Sequence, residues 1–458
     1  MRPRAPARFG GRIRFGDSNV VRWIAALAIA SLIYSYQLTT PILLRIGANT
    51  SEINLQIKAL LVAAFGIVAV SGLAVGKALP RRSLALIAYL ALLGFRLLYD
   101  VLALGILPLF QTEFYVLAYY FGLTCLPILA ILLTLSPRDT RIVHDALFWM
   151  LAAANIVLLI YIGTGGVVTS ATVFAGRFEV GGSVSETAVL NPIGVAAAGA
   201  GLAAIAIGRL TALRSLNAFG QIFALAMTVL GVTNMFAGGS RGPALALALV
   251  VLITVYTLIR GLPGNGLIKP RLAMWIYGGV VAAGFAAVII SQAMSIQVFD
   301  RFAMMFDSRM AGGREERDYA LQNALADFVD APFIGSSYLT TIGRQYPHNI
   351  VVDALMATGI VGFSLFAVAM FWMLRGLLRM IHGHAGPHGF GIALVAVCIF
   401  TLGMTSGAAW QSPDFWVMFT VVLILGNFRL APLHRGVGPA RPAPAPAYSP
   451  YKARQTIR

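Results

Sequence analysis

Apolar runs of about 20 residues, the length needed to cross a bilayer, recur along the whole chain and are separated by short polar links. They predict spans near residues 22–42, 55–76, 83–106, 114–135, 143–163, 188–208, 216–237, 242–260, 272–294, 349–374, 389–405 and 415–430. The expected fold is an all-α polytopic membrane protein of about twelve transmembrane helices. The first run follows a long basic segment and shows no small-residue cleavage site, so it is expected to remain as an uncleaved first span.

The links alternate in charge. KALPRR (77–82), SPRDTR (136–141), RLTALR (209–214), RGLPGNGLIKPR (260–271) and RGLLRMIHGHAGPH (375–388) are all basic. Intervening links such as 107–113, 164–187 and 406–414 carry few or no Lys or Arg. Cytoplasmic loops of membrane proteins are enriched in Lys and Arg, so both termini are expected in the cytoplasm. Two outer loops exceed a connector's length, 164–187 and 295–348. The second contains Leu321, Leu325, Phe328 and Val329 at helical spacing, a candidate amphipathic face. Three regions follow: a basic cytoplasmic segment 1–21, a membrane domain 22–430 including both outer loops, and a Pro/Ala-rich basic cytoplasmic tail 431–458 expected to be disordered.

Composition agrees. The 458 residues are 59% hydrophobic and 11% charged, against about 25% charged in soluble domains. A net charge of +17 raises the question of nucleic acid. The basic residues lie in tails and cytoplasmic links with no folded basic module beside them, which points to topology and anionic headgroups instead. Cys125 and Cys398 fall inside apolar runs and read as small core residues. His382, His384 and His388 lack acidic or cysteine partners nearby in sequence and predict no metal site.

Polar residues in apolar surroundings need a partner or a task. Arg96 and Asp100 stand at i,i+4 within the third run, either as a buried ion pair or as a substrate contact. At the outer ends of spans, Asn191 precedes Pro192, Ser240 precedes Arg241-Gly242-Pro243, and Pro347 precedes His348-Asn349. Asn and Ser cap helix starts, Pro suits the first turn, and the positive end of the helix favours an anion. Arginine's planar fork suits phosphate oxygens. Arg177, Arg241, Arg301, Arg309, Arg314, Arg317 and Arg344 populate the outer side, although Arg301, Arg309 and Arg317 have acids close in sequence with which to pair. His348 is the only outer-side histidine, and an imidazole with a pKa near neutrality can take a proton from an attacking hydroxyl.

His348-Asn349, followed by Gly359 and Gly362 at the start of a span after the largest outer loop, resembles the signature of the O-antigen ligase and polymerase superfamily. Ser240-Arg241 resembles its Ser-Arg at the outer end of a span. Gly313-Arg314, Tyr319 and Ala331-Pro332-Phe333-Ile334-Gly335 resemble its Gly-Arg, aromatic and Pro-x-x-Gly succession. Arg177 with Asn191-Pro192 resembles the Arg and Asn-Pro of the preceding loop. The likeness covers roughly residues 170–375. It departs from the ligase pattern at Phe363-Ser364, where a Thr pair often stands.

The resemblance implies a GT-C-like glycosyltransferase of the bacterial inner membrane, without cofactor or metal, whose large helical periplasmic loop joins spans nine and ten. It implies an undecaprenyl-diphosphate-linked oligosaccharide as donor and a carrier-linked glycan or lipid A core as acceptor. Membrane lipids and a chain-length regulator are further expected partners. Catalytic roles would fall to His348, Arg241 and Arg314, with Arg177, Asn191, Ser240, Arg317 and Asn349 binding substrate. The missing Thr pair favours polymerase over ligase. A polytopic transporter or lipid-linked glycan flippase is the main rival. Against it, no internal repeat relates the halves and the 77–82 link lacks a facilitator motif. A non-catalytic lipid-binding or assembly subunit is the second rival.

Overall fold

The structure, a computed structural model, describes residues 19–48, 50–108, 111–164, 192–211, 217–260, 278–279 and 316–427. Its helices are α1 (Asn19–Arg45), α2 (Thr50–Ala74), α3 (Arg81–Ala103), α4 (Glu113–Thr134), α5 (Pro137–Gly163), α6 (Pro192–Thr211), α7 (Ala218–Gly238), α8 (Arg241–Arg260), α9 (Glu316–Asp330), α10 (Ile350–Ile381), α11 (Gly386–Ser406) and α12 (Pro413–Asn427). Among the described residues, 10 helices are long and apolar enough to cross a membrane. They coincide with ten of the expected spans, and the protein is a polytopic, all-helical membrane protein. The expected span 272–294 lies outside the described residues apart from 278–279.

The twelfth expected span appears as α12, which has 15 residues, about 22 Å at helical rise and short of the bilayer's apolar thickness. All but one of its residues are buried. A helix surrounded by other helices need not present a full apolar length to lipid. α2, by contrast, has many outward-facing apolar side chains, including Leu55, Leu60, Ile67 and Val70.

Small residues and amides bind the bundle, as expected where lipid removes the hydrophobic drive between helices. α6 and α7 meet so closely that a Cβ on Gly199 would lie 2.5 Å from the Gly231 carbonyl oxygen. Beside that contact, Asn234 donates to Asn155 Oδ1 (2.9 Å), and Asn155 donates to the Ala198 carbonyl (3.0 Å), linking α5, α6 and α7. Cys398 is buried and Cys125 half-buried, and both are free thiols.

Contacts sort the links into two ends. At one end Lys77 donates to the Thr134 carbonyl (2.9 Å), and Arg82 and Arg379 both donate to the Asn427 carbonyl (2.6 and 3.1 Å). Arg22 approaches Asp139 (3.5 Å), and Arg209 pairs with Asp145 (2.7 Å). At the opposite end the segment 331–349 packs against α10, and the start of α8 lies against the end of α11. There α9 confirms the helix expected around residues 321–329 but not the face expected to pack. Ala320, Ala324 and Asp327 are buried, while Leu325 and Val329 stay exposed. Alanines permit close approach to α10, and Asp327 earns its burial by accepting the Thr341 N–H (2.8 Å).

Candidate functional site

The site is built on a broken helix. Within α10, Gly359 leaves helical geometry (φ 59, ψ −167), which would strand backbone N–H groups at membrane depth. Their acceptors come from the segment after α9. The Pro332 carbonyl receives the Ile360 N–H (2.8 Å), and the Phe333 carbonyl receives the Val361 N–H (3.2 Å). In return Ser336 N–H donates to the Met356 carbonyl (3.0 Å). Gly335 turns with φ +80, and a Cβ there would lie 2.5 Å from the Ala357 carbonyl carbon. A Cβ on Gly359 would likewise lie 2.5 Å from the Phe333 carbonyl carbon. The Pro-x-x-Gly segment and the glycine ten residues beyond Asn349 are therefore two halves of one interlock.

Arg96 and Asp100 hold the same segment from the other side. Arg96 Nε lies 2.9 Å from one Asp100 oxygen, and its Nη1 donates to the Gly335 carbonyl (3.3 Å). Asp100 Oδ2 accepts the Tyr338 N–H (3.0 Å), and the Tyr338 hydroxyl donates to the Ile106 carbonyl (2.8 Å). Of the two readings open for this pair, the ion pair is what the geometry supports. It also clamps the loop, which sequence spacing could not reveal. Asp100 lies in a π-helical turn, Tyr99–Ala103, a distortion common at functional sites.

From this clamp the chain runs to His348. Thr340 Oγ donates to the Gln345 carbonyl (2.9 Å), closing the turn. His348 has φ 54, uncommon for a non-glycine residue. Its ring stacks near Tyr346, with centroids 4.4 Å apart. Asn349 then caps α10: Oδ1 accepts the N–H groups of Val351 (3.0 Å) and Val352 (3.2 Å). The cap expected at this position is present.

Three segments distant in sequence converge on a single turn, Met404–Thr405, at the end of α11. Asn349 Nδ2 donates to the Met404 carbonyl (3.2 Å). Arg317, from the start of α9, donates to the Thr405 carbonyl (3.1 Å). At the start of α8, a Cβ on Gly242 would lie 2.7 Å from Thr405 Oγ1, so the residue following Arg241 sits tightly against this turn. Ser240 precedes it, its carbonyl receiving the Ala244 N–H (3.4 Å). Arg241, Ser240, His348 and Asn349 are all half-buried, and Arg317 is exposed. The structure thus brings Ser240, Arg241, Arg317, His348 and Asn349 to one end of the bundle. Arg177, Asn191 and Arg314, with Arg301 and Arg309, lie outside the described residues. Arg344 is exposed, with φ 47, in the turn before His348.

Sequence reasoning missed Tyr346, Thr405 and Asp353. Tyr346 carried a signal, an aromatic two residues before the histidine. Thr405 carried none, being one hydroxyl at the end of an apolar run. Asp353 is buried in the first turn of α10, where Oδ2 accepts the Ala409 N–H and fixes the link between α11 and α12. Two phenols border the site. Burial pushes Tyr346 up, with Arg317 partly opposing, and burial together with Asp100 pushes Tyr338 up. Both stay protonated near neutral pH, which leaves His348 as the candidate proton acceptor among the residues gathered here.

Among the described residues, the group able to hold a metal is His144, Asp145 and His388, at the basic end. Arg209 already occupies Asp145 there (2.7 Å). His382 and His384 turn instead to the Leu378 and Arg379 carbonyls (2.6 and 3.0 Å).

The described helices form a multi-pass bundle with cations, an imidazole and helix starts gathered at one end. Residues 226–367 match the family model described as O-antigen ligase, a match that supports membership of the O-antigen ligase/polymerase superfamily. The matched stretch contains Ser240-Arg241, the Pro332–Gly335 segment, His348-Asn349 and Gly359. No curated protein matches the chain.

Proposed function

We propose that the chain is a metal-independent glycosyltransferase that moves a glycan from an undecaprenyl-diphosphate carrier to an acceptor sugar hydroxyl at the periplasmic face of the bacterial inner membrane. Both termini lie in the cytoplasm in this reading, because the end crowded with Lys77, Arg82, Arg209 and Arg379 is the one that should face inward. The observation that carries it is the convergence of Arg241, Arg317 and His348-Asn349 on the Met404–Thr405 turn. Arg241 and Arg314 grip the diphosphate, with Arg177 and Asn191 assisting from the preceding outer loop. His348 takes the proton as the acceptor oxygen bonds to the anomeric carbon. The bond from that carbon to the phosphate oxygen breaks, and the electron pair leaves on the diphosphate beside the arginines. A diphosphate is already a good leaving group, so positioning and charge stabilisation supply most of the catalysis.

Polymerase and ligase differ only in the acceptor. Phe363-Ser364 favours polymerase, and the matching family model does not separate the two. A deletion strain examined by polysaccharide gel separates them. Loss of a polymerase leaves single repeats on the core, or no secreted polymer, and loss of a ligase strands full-length chains on carrier lipid. His348→Ala and Arg241→Ala should each abolish the product at normal membrane abundance. Product at the wild-type level from either variant defeats the proposal, and failed delivery of lipid-linked substrate to the periplasm would indicate a transporter.

A further inference from the structure

Beside the Met404–Thr405 turn, between α1, α6, α11 and the start of α12, lies a cavity of about 400 Å³. None of the residues mentioned so far as binding a phosphate lines it. Its polar wall is Tyr36, Gln37, Ser406, Ser412 and Asp414, and its apolar wall includes Ile193, Leu402 and Phe415. Gln37 Oε1 is buried without a hydrogen-bond partner, an arrangement that leaves a good acceptor unused. Among the described residues no Lys, Arg or His lines the cavity, and Asp414 would repel a phosphate. A lipid tail would leave Asp414 and Gln37 facing hydrocarbon. The lining suits a ligand rich in hydroxyl donors, uncharged, with an apolar face to lay against Phe415. A pyranose ring has those properties, and the volume lies within the range of about 300–1,000 Å³ usual for small-molecule sites.

The cavity also adjoins the site already described. Leu402, Gly403, Ser406 and Gly407 border it, and the two carbonyls between them hold Asn349 and Arg317. Asp414 lies within electrostatic reach of Tyr119, and Tyr119 within reach of Tyr346, the ring partner of His348.

We propose that this cavity is a subsite for a neutral sugar of the acceptor glycan, held by Gln37 and Asp414 beside the α11 turn that receives Asn349. The assignment of the sugar to the acceptor rests on the transfer reading above, and the binding of a neutral sugar does not. The test is saturation-transfer NMR on the full chain in lipid nanodiscs, with millimolar methyl glucopyranoside, methyl galactopyranoside, N-acetylglucosamine and glucuronate as probes. The expected result is saturation of at least one neutral sugar and none of glucuronate. Asp414→Asn should weaken that binding at least about tenfold, the loss of a hydrogen bond to a charged group. Ala197→Trp, which fills the cavity from α6 without touching its polar groups, should abolish it. His348→Ala should bind as the wild type does. No neutral sugar bound by the wild-type protein, equal binding of glucuronate, or wild-type binding by Ala197→Trp overturns the subsite. Polymer formation by His348→Ala would sink the transfer reading and leave the binding result standing.

Discussion

The two ends of the bundle use arginine in opposite ways. At the basic end the guanidinium groups are spent on structure. Arg82 and Arg379 share the Asn427 carbonyl at the end of α12, and Arg209 is held by Asp145 while its cation lies 3.6 Å from the Phe148 ring centroid. Cations complete helix C-termini there, where backbone carbonyls lack partners. At the other end α8, α10 and α12 begin while α11 ends, so helix-start N–H groups supply positive potential beside the α11 carbonyls to which Arg317 and Asn349 donate. Arg241 opens α8, where its cation adds to that potential. Residue type therefore says little alone. The direction of the neighbouring helix sets whether an arginine adds to a helix start or completes a helix end.

The comparison breaks most easily at the interlock. Gly335→Val places a branched side chain at φ +80, a few kcal/mol of backbone strain, and drives its Cβ to 2.5 Å from the Ala357 backbone. The variant should lose the seat of the 332–335 segment against Gly359 and leave the Ile360 and Val361 N–H groups without acceptors. We expect little or no folded protein in membranes, read by abundance and limited proteolysis. Gly386, also at positive φ (+70) but with open space around it, should tolerate Asn with normal abundance. Equal behaviour of the two variants would mean that the interlock is not what fixes the site.

A smaller effect separates Asp100 from the basic end. Asp100→Ala leaves Arg96 half-buried without its carboxylate and frees the Tyr338 N–H, a loss of about 3 kcal/mol or more. The 337–349 loop should then become accessible to protease, and transfer should fall with it. Arg82→Ala removes one donor to a carbonyl that Arg379 and Asn427's own surroundings still serve, and should cost about 1 kcal/mol with transfer unchanged. Thermal unfolding in detergent, read alongside product formation, checks both. If Arg82→Ala lost transfer at full stability, the contrast between the ends would fail.

Much of this arrangement was legible from the sequence, for identifiable reasons. Hydrophobic runs report membrane crossing directly, because lipid enforces it on nearly every residue of a span, and α1–α8, α10 and α11 follow. Asn349 was readable as a cap because capping is a contact of two or three residues. The Pro332–Gly335 segment and Gly359 were visible as motifs but not as partners, since their bonds join positions that local pattern cannot connect. Thr405 was silent: its carbonyl receives Arg317 and its hydroxyl lies against Gly242, two segments that arrive from elsewhere. The face of α9 was misjudged because Leu325 and Val329 follow an amphipathic period, while the helix docks through alanines and one aspartate that serves the loop.

Asn349 offers the finest test, because its two hydrogen-bonding halves face different tasks. Oδ1 caps α10 through Val351 and Val352, a local service, whereas Nδ2 reaches the Met404 carbonyl and ties His348 to the turn shared with Arg241 and Arg317. Asn349→Asp keeps the cap and places a favourable negative charge at a helix start, but it removes the donor to Met404. Asn349→Ala removes both and should lower stability by about 1 kcal/mol. If the tie to Met404 positions His348, Asn349→Asp should keep wild-type stability and lose transfer about tenfold, with the pH profile of the remaining activity displaced upward by the added carboxylate near the imidazole. If Asn349 merely starts a helix, as the polar residues of the basic end merely finish them, Asn349→Asp will match the wild-type protein in both rate and pH profile.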